Sequence, residues 1–295
     1  MNIRQLHYFY TIASEGQITR AAKKLHMAQP PLSQALKALE INLGVLLFER
    51  HGRKMELTEA GKVLFERATH IFQTIDDTKT EIKEIGRGVS GSLAIGCVKS
   101  CFSYLIRNIR LFRTAYPKTT FKLTEGDSFQ LTKQLENRDI ELAIVRLPLE
   151  IDDYASYKIA TEKYVAVLPE NWAKKWHEAA ISIQELADMP LLLLHRTSGR
   201  GQYEVILEAF HKRKLEPNIL CESPNVDMIL GLVNEEIGVT IIPKSSLLTF
   251  HHSGLTILPI LDTTIESESM IIWLRDRYLS KSAVQFIEMF EIKHK

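Results

Sequence analysis

The sequence has little cysteine and no long apolar run, and these absences exclude several classes of protein. It contains three cysteines and no Cys-x-x-Cys pair, so neither a disulfide framework nor a thiolate zinc site is expected. No apolar run approaches the roughly 18 residues that cross a bilayer. The opening MNIRQLHYFY lacks the succession of charged, apolar and small residues that marks a signal peptide. We therefore expect a soluble, cytoplasmic protein that binds no metal and has no contact with membranes.

Catalytic motifs and a strong overall charge are also missing. The formal net charge is +1 over 295 residues, so any contact with phosphate must come from a local basic patch. No GxSxG, HExxH or phosphate-loop pattern occurs, and the SGRG turn that begins at Ser198 is too short for a phosphate loop. The sequence predicts no enzyme activity and no cofactor.

The first 60 residues contain short helical patterns followed by a hairpin. The first helix is indicated by an apolar stripe that Gly16 ends, formed by Leu6, Phe9, Tyr10 and Ala13. Thr19 is the expected N-cap of a second helix, RAAKKLHM, whose outer face is basic. The segment RHGRKMELT has the basic turn and alternation of a hairpin, and Thr58 is expected to cap the helix that follows.

A third helix begins near Pro30 and Pro31, which the first turn of a helix tolerates. Its predicted inward stripe ends at Gly44, an expected left-handed cap, and comprises Leu32, Leu36, Leu39 and Leu43. The opposite face is polar, compact and short in reach. It is formed by Gln29, Pro30, Ser33, Gln34 and Lys37.

Two short helices joined by a bend and followed by a basic hairpin are typical of a winged helix-turn-helix, whose second helix enters the major groove of DNA. Residues 1–60 carry eight basic and five acidic residues. Gln29, Ser33 and Gln34 are expected to read base edges, whereas the basic residues would neutralise phosphate. The predicted DNA-binding residues are Thr19, Arg20, Gln29, Pro30, Ser33, Gln34, Lys37, Arg53 and Lys54. For any single lysine the alternative is an ordinary solvated surface residue.

A heptad pattern follows the hairpin. Small or apolar residues recur from Leu64 to Ile85 with spacings of 4, 3, 4, 3, 4 and 3, the pattern that buries a narrow stripe against a partner helix. The predicted dimerisation residues are Leu64, Ala68, Ile71, Ile75, Ile82 and Ile85. The alternative is that this stripe packs against the chain's own domain.

Beyond GRGVSGS, residues 86–92, strand-like and helical segments alternate, which predicts an α/β domain with a largely parallel sheet in two lobes. The predicted domains are a winged helix-turn-helix at 1–58, a linker helix at 59–90 and an effector domain at 91–295. Lobe I would span about 91–161 and 266–295, and lobe II about 162–265.

The opening 64 residues resemble the DNA-binding module of the LysR-type transcriptional regulators. The elements that carry the resemblance are AA..L, QPPLS, ALE..LG, LFER and LTEAG, and the later IELAIVRLP and IGVTIIP are similar to strand-end motifs of the family's effector domain. The resemblance implies a regulator that binds operator DNA, usually as a homotetramer built from homodimers. It also implies a periplasmic-binding-protein-like domain whose two lobes hold a small-molecule effector.

Positions that line the effector cleft in similar proteins, together with strand ends and helix starts, indicate an anion site. The predicted effector-binding residues are Lys99, Ser100, Ser128, Arg146, Arg196, Ser198 and Gln202. Simple helix capping is the alternative for both serines, and pairing with a surface carboxylate is the alternative for Arg146. Cys97 and Cys101 lie near this cleft, where a redox switch competes with the more ordinary role of small apolar side chains.

The chain departs from the family's pattern at three places: Ala28 replaces a hydroxyl residue, Gln34 an arginine, and Glu235 with Glu236 a small Ala-Gly pair. Ala28 cannot provide a side-chain cap for the helix. Gln34 need not contact guanine, and the helix end at Glu235 need not match that of the relatives. The alternative function is a solute-binding type of ligand sensor with a degenerate DNA module.

Overall fold

The computed structural model describes residues 1–51, 54–84, 88–174, 180–196, 199–248, 253–261 and 264–291. The chain divides into two compact units, Met1–Lys83 and Glu84–Lys295.

The N-terminal unit is a three-helix core with a two-stranded wing and a long helix. Its helices are α1 (Ile3–Glu15), α2 (Ile18–Lys24), α3 (Gln29–Leu43) and α4 (Glu59–Glu84), and its antiparallel strands are β1 (Phe48–His51) and β2 (Lys54–Leu57). This is the winged helix-turn-helix order that the sequence predicts. The helix core is apolar and includes Leu6, Phe9, Ile12, Ala21, Leu32, Leu36 and Leu39.

The helix ends follow from local chemistry, with two corrections to the prediction. Gly44 has a φ of 70°, the left-handed conformation that favours glycine. Gln17 rather than Thr19 is the N-cap residue of α2, and no side chain caps this helix. Leu43 is 39% exposed and does not belong to the inward stripe, because α3 reaches its last turn there and extends past the core.

The wing is fastened to the helices by backbone hydrogen bonds. Met55 donates its amide hydrogen to the carbonyl oxygen of Gly16 at 2.9 Å. Thr58 caps α4 as predicted, since its hydroxyl accepts from the amide of Gly61 at 3.0 Å and donates to the carbonyl of Leu46 at 2.8 Å.

The C-terminal unit is an α/β fold. Its strands are β3 (Gly91–Cys97), β4 (Thr119–Glu125), β5 (Leu142–Arg146), β6 (Tyr154–Pro169), β7 (Ile181–Ser182), β8 (Leu191–Leu194), β9 (Ile219–Ser223), β10 (Thr240–Pro243), β11 (Leu255–Leu261) and β12 (Glu266–Leu274). Its helices are α5 (Phe102–Ala115), α6 (Ser128–Glu136), α7 (Glu170–Ala173), α8 (Ile183–Ala187), α9 (Gln202–His211), α10 (Val226–Asn234) and α11 (Lys281–Glu291).

One sheet runs through this unit in the order β4-β3-β5-β12-β6-β11-β7, with β10 also pairing with β6. The sheet is mixed rather than largely parallel. Strand β3 pairs in parallel with β4 and β5, but β12 is antiparallel to β5 and β6, and β6 is antiparallel to β10 and β11. Strands β8 and β9 form a separate parallel pair.

Strand β6 belongs to both lobes. It pairs with β12 up to Lys163 and with β10 and β11 from Tyr164 onward. Lobe I is the part around β3, β4, β5 and β12, and it packs on one apolar core together with α5 and α11. Lobe II has two further clusters, which lie around Ala166 and Val167 on alternate positions of β6. The lobes therefore share a strand but not a core.

Substitution of Gly61, at the start of α4, tests how closely this helix packs against the segment that precedes the wing. In a helix, Gly→Ala ordinarily stabilises by up to about 1 kcal/mol. At Gly61, however, the added carbon would overlap the carbonyl oxygen of Leu47, and overpacking of this kind costs about 1–3 kcal/mol. We predict that Gly61→Ala accelerates hydrogen exchange in peptides of the N-terminal unit and lowers its denaturation midpoint.

The matched control is Gly231→Ala in α10, where, apart from the chain neighbours and the helix's own backbone, no heavy atom lies within 4 Å of the added carbon. This variant should keep or slightly raise the stability of lobe II. Equal stabilisation in both variants would contradict the close approach of α4 to Leu47.

Candidate functional site

The outer face of α3 is a compact polar surface. Gln29, Pro30, Gln34 and Lys37 are exposed, and Ser33 is half-buried among them. The inward residues of the same helix are buried in the core. This burial fixes which side chains of α3 face outward. Ala28 provides no side-chain cap, and the next positions that a cap would serve, Pro30 and Pro31, have no amide hydrogen to donate.

The predicted basic contacts are distributed over α2 and the wing. Thr19 and Arg20 are exposed at the start of α2, and Lys54 is exposed on β2. Lys24 differs from them because its Nζ lies 2.6 Å from a carboxylate oxygen of Glu15. Arg53 lies outside the described residues.

The heptad seam on α4 divides into two parts. Ala68 is fully buried in the core of its own unit, and Leu64 and Ile71 pack against that core. In this half, the stripe packs against the chain's own domain rather than a partner helix, because α1 covers it. Ile75 is half-buried and Ile82 is 62% exposed, whereas Ile85 lies outside the described residues.

Aromatic contacts fix α1 on α4 and account for this burial. Tyr10 of α1 stacks on Phe65 with ring centroids 5.1 Å apart, and it meets Phe72 edge-on at 5.4 Å. His7 also contacts the edge of Phe72 at 5.6 Å. The N-terminal half of α4 is thus part of the winged unit's core.

A cleft of ≈ 380 Å³ lies in the C-terminal unit. Lobe I contributes Val98–Ser100, Glu125–Ser128, Gln130 and Arg146, and lobe II contributes Leu194–Arg196, Gln202 and Pro224–Val226. Six of the predicted effector residues line this cleft: Lys99, Ser100, Ser128, Arg146, Arg196 and Gln202. Ser198 lies outside the described residues.

Several helices begin at the cleft, and their caps differ from the predicted ones. Asp127, not Ser128, is the N-cap of α6, where it forms a reciprocal capping box with Gln130. Ser128 is buried, and its hydroxyl lies 3.5 Å from the carbonyl oxygen of Arg146. Ser100 lies in a single 3₁₀ turn, Lys99–Cys101, that leads into α5.

Arg146 is the most buried charge in this region, with a relative exposure of 0%. Its guanidinium donates to the hydroxyls of Ser100, Ser245 and Ser267 and to the Ser100 carbonyl, at 2.9–3.3 Å. It also forms an ion pair with Glu162 at 2.8 Å. Burial lowers the pKa of Arg146, but Cys101 and the Glu162 carboxylate outweigh burial, so the pKa is raised and the group stays charged.

The sequence left open that Arg146 pairs with a surface carboxylate. The structure contains a pair of this kind, but its carboxylate is buried. Glu162 is only 15% exposed, lies on β6 and also accepts from the Ser245 hydroxyl at 2.7 Å. Each nitrogen of the guanidinium has at least one partner in this set. In the cleft, Arg146 therefore has a structural role.

Two further side chains cross the cleft from one lobe to the other. Arg196 of lobe II donates to the carbonyl oxygens of Arg146 at 2.7 Å and Pro148 at 2.9 Å, and burial lowers its pKa. Lys99 of lobe I forms an ion pair with Asp227 in the first turn of α10. These contacts hold the two walls together.

Sequence reasoning missed Glu162, Asp127, Asn225 and Asp227. Asp127 and Asn225 each precede a helix and cap it through their side chains, so an Asp or Asn before an apolar helical pattern was an available signal. Glu162 and Asp227 had no such signal, because their partners are distant in the sequence.

The cysteines have the properties of packing groups. Cys97 and Cys101 are buried, and burial followed by the proximity of Cys101 raises the pKa of the Cys97 thiol well above its ordinary value. A thiol with a raised pKa contains little of the reactive thiolate.

The described ranges contain neither a candidate membrane helix nor a candidate metal cluster. There, no helix is long and apolar enough to cross a bilayer. Those residues also contain no group of three or more His, Cys, Asp or Glu side chains that could hold a metal ion.

A winged helix-turn-helix, a long helix and a two-lobed domain with a polar cleft together define a class of protein: ligand-responsive DNA-binding regulators. Comparison with known proteins identifies the family. The model described as "Bacterial regulatory helix-turn-helix protein, lysR family" matches residues 3–62, and the model described as "LysR substrate binding domain" matches residues 86–293. The chain belongs to the LysR family of transcriptional regulators.

Individual relatives agree with this assignment. The chain is 35% identical to the HTH-type transcriptional regulator BsdA of Bacillus subtilis, over 98% of this chain and 100% of BsdA. It is similar to full-length OxyR from Pseudomonas aeruginosa, with a TM-score of 0.68 at 25% identity, covering 98% and 93% of the two chains. The fold also matches CbnR in complex with its target DNA, with a TM-score of 0.68 at 24% identity and 99% coverage of both chains.

We predict that Arg146→Met destabilises the C-terminal unit by about 3–5 kcal/mol, because it leaves the Glu162 carboxylate buried without its cation. Adding Glu162→Gln should recover part of this loss. The measurement is urea denaturation of the full-length protein. Arg200→Met is the control, since Arg200 pairs with Glu208 at the surface and should cost at most about 1 kcal/mol. A similar small cost at both arginines would show that the buried pair contributes little.

Proposed function

We propose that this chain is a cytoplasmic transcription factor that reads operator DNA through α3 and is controlled by a small, negatively charged effector in the cleft. The observation that carries the proposal is the polar outer face of α3, held by a fully buried inner face, on a unit distinct from the one that contains the cleft. The DNA-binding relatives support a cytoplasmic location, where operator DNA is accessible.

Division of labour within the DNA-binding surface follows from side-chain chemistry. Gln29, Ser33 and Gln34 are proposed to contact base edges in the major groove, and glutamine pairs well with adenine. Phosphate contacts are proposed for Thr19, Arg20, Lys37, Arg53 and Lys54, with Pro30 fixing the start of the helix. We propose the boundaries 1–58 for the DNA-binding domain, 59–90 for the linker and 91–295 for the effector domain.

Control by the effector is proposed to act through the contacts that join the two lobes. An anion in the cleft would compete with Asp227 for Lys99 and would approach the helix starts at Ser100 and Ser128. A ligand shifts a conformational equilibrium only by its different affinities for the two states. Effector and operator must therefore change each other's affinity by the same factor.

The exposed C-terminal half of the α4 seam supports a homodimer. Ile75 and Ile82 are the apolar positions of this half that are not taken up by the winged unit's core, and Ile85 would extend the same stripe. Leu64 and Ile71 remain partly accessible at its other end, whereas Ala68 is no longer proposed as a partner contact. A homotetramer of two such dimers is the expected assembly on DNA.

Catalysis is not part of the proposal, because Lys99 and Arg146 of the cleft are paired with Asp227 and Glu162 and the relatives are transcriptional regulators. The alternative function, a ligand sensor with a degenerate DNA module, differs in one measurable respect. It does not select a DNA sequence.

Selection of genomic DNA fragments by the full-length protein at two salt concentrations tests the proposed function. We expect one interrupted near-palindrome, bound more weakly at the higher salt concentration. Gln29→Ala and Gln34→Ala should each lose about 1–3 kcal/mol of discrimination between specific and random DNA. Lys37→Ala should weaken both kinds of binding and reduce the salt slope by about 0.9.

The control for Lys37→Ala is Lys79→Ala, whose side chain pairs with Asp76 on the linker helix. Fragments without a shared motif would favour the ligand-sensor alternative. Equal loss on specific and random DNA in the glutamine variants would assign those residues to phosphate contacts.

We also predict that Ile82→Glu shifts the protein towards monomer in sedimentation velocity, because a carboxylate in an apolar seam is buried without a partner. Thr80→Glu introduces the same charge on an exposed position of α4 that lies off the seam and should leave the assembly unchanged. Unchanged sedimentation in both variants would move the dimer contact away from this part of α4.

A further inference from the structure

Lobe I carries an exposed basic surface. Between Ser100 and Thr124 the chain contains five basic residues and no acidic one, although the formal net charge of the whole protein is only +1. All five are exposed, and among the described residues none of them is ion-paired with a carboxylate. The lobe I basic surface comprises Arg107, Arg110 and Arg113 on α5, Lys118 in the turn that follows, and Lys122 on β4.

Lobe II carries an exposed acidic surface. From Glu216 to Glu236 the chain contains five acidic residues and no basic one. Glu222 and Asp227 have partners in His195 and Lys99. The other three are exposed and, in the described part of the chain, have no ion pair. The lobe II acidic surface comprises these three, Glu216, Glu235 and Glu236.

Local chemistry disfavours two of these carboxylates. Glu235 and Glu236 directly follow α10, at the end of the helix where the dipole disfavours negative charge. Glu236 also has a φ of 60°, a left-handed conformation that favours glycine, and its carboxylate accepts a single hydrogen bond of 2.7 Å from the side chain of Asn171. The family's pattern has a small Ala-Gly pair at these positions. The charges of this chain therefore need stabilisation from outside α10, which a basic partner would provide.

The two surfaces lie at similar distances from the cleft. Ser100, in the turn before α5, lines the cleft, and Arg113 lies near the other end of that helix. Asn225, which also lines the cleft, precedes α10, and Glu235 lies at that helix's other end. With a rise of about 1.5 Å per residue, Arg113 and Glu235 are roughly 17 Å and 14 Å from the cleft ends of their helices.

A second copy of this chain fits both surfaces at once. In a two-fold arrangement, the lobe I basic surface of each copy meets the lobe II acidic surface of the other, so the contact closes and all the charges find partners. Contact of either surface with its own copy is disfavoured by like-charge repulsion. Exposed apolar side chains accompany both surfaces and would add contact area. They are Ile106, Leu111 and Leu123 in lobe I, and Leu220, Met228 and Ile237 in lobe II.

We propose that the effector domain recognises a second copy of this chain by charge, with the lobe I basic surface of one copy docked on the lobe II acidic surface of the other. This inference rests on the homotetramer proposed above, which needs a second contact besides α4. Because Glu235 and Glu236 stand where the family's pattern has small residues, the pairing favours identical copies over relatives that lack the acidic pair.

Ionic strength separates this contact from the apolar seam of α4. Sedimentation velocity of the full-length protein is measured at roughly 0.05 M and 0.5 M NaCl, since salt screens interactions between exposed charges. We expect tetramers at the lower concentration and dimers at the higher one. A tetramer that is equally stable at both concentrations would contradict the proposal, and so would a protein that forms no tetramer at all.

Two charge-reversal variants identify the residues. Arg110→Glu with Arg113→Glu makes both surfaces acidic, and Glu216→Lys with Glu235→Lys makes both basic. Each variant alone should raise the tetramer–dimer dissociation constant about ten-fold or more, because like charges then face each other. Mixing the two variants should restore tetramers, because each then meets a complementary partner. This rescue also shows that both variants are folded.

The matched control is Glu150→Lys with Asp152→Lys, which changes the net charge as the acidic-surface variant does. Both residues are exposed in lobe I and lie outside the two surfaces, so this variant should remain a tetramer. Equal dissociation in the control would assign the effect to net charge. Failure of the mixed variants to form tetramers would show that the two surfaces do not meet.

Sequence-selective DNA binding is measured on the same preparations. If the natural protein selects a DNA sequence but its tetramers are unaffected by the reversals, only this inference is rejected. If the natural protein selects no sequence, the proposed transcription factor is rejected, whatever its assembly. If reversal of the basic surface weakens binding to random and specific DNA equally while tetramers persist, that surface contacts DNA and the proposed pairing is wrong.

Discussion

The buried ion pair between Arg146 and Glu162 is the constraint on which the effector domain depends. A guanidinium at the end of β5 cannot be buried without full compensation, and its partners come from both lobes and from the strand that joins them. Ser100 belongs to lobe I, Ser245 to lobe II and Glu162 to β6. Satisfying one charge therefore determines where the two walls of the cleft meet.

This constraint changes how the cleft is understood. A buried arginine beside a candidate effector site suggests direct ion pairing with a ligand, but the partners of Arg146 leave it little capacity for that role. Lys99 and Arg196 are also engaged across the cleft. In the cleft, Lys99 and Arg146 are thus paired with carboxylates, whereas Arg196 is held by backbone carbonyl oxygens.

Sequence patterns predicted those parts of the molecule in which local chemistry decides the structure. The left-handed cap at Gly44, the cap at Thr58 and the order of helices and strands all depend on neighbouring residues. The family and its fold were recognised from motifs of the same kind. Long-range partners were not predictable, because no spacing links Glu162 to Arg146 or Asp227 to Lys99.

The heptad on α4 illustrates a different reason for error. An apolar stripe at this spacing predicts burial but does not specify the surface that buries it. Ala68 satisfies the pattern within its own unit. The outer face of α3 had less ambiguity, because a polar face opposite a buried stripe ordinarily faces solvent. The positions of its residues were predictable, whereas their contacts with DNA remain a proposal.

The continuity of strand β6 restricts where the chain can gain or lose residues during evolution. Its 16 residues are continuous from Tyr154 to Pro169 and supply side chains to the cores of both lobes. Inserting or deleting one residue near Lys163, where the pairing partner changes, would exchange the inner and outer faces of the strand in one lobe relative to the other. Variation in chain length is therefore tolerated in the loops but not at this crossing. The two lobes must diversify by substitution while the distance between them along the chain stays constant.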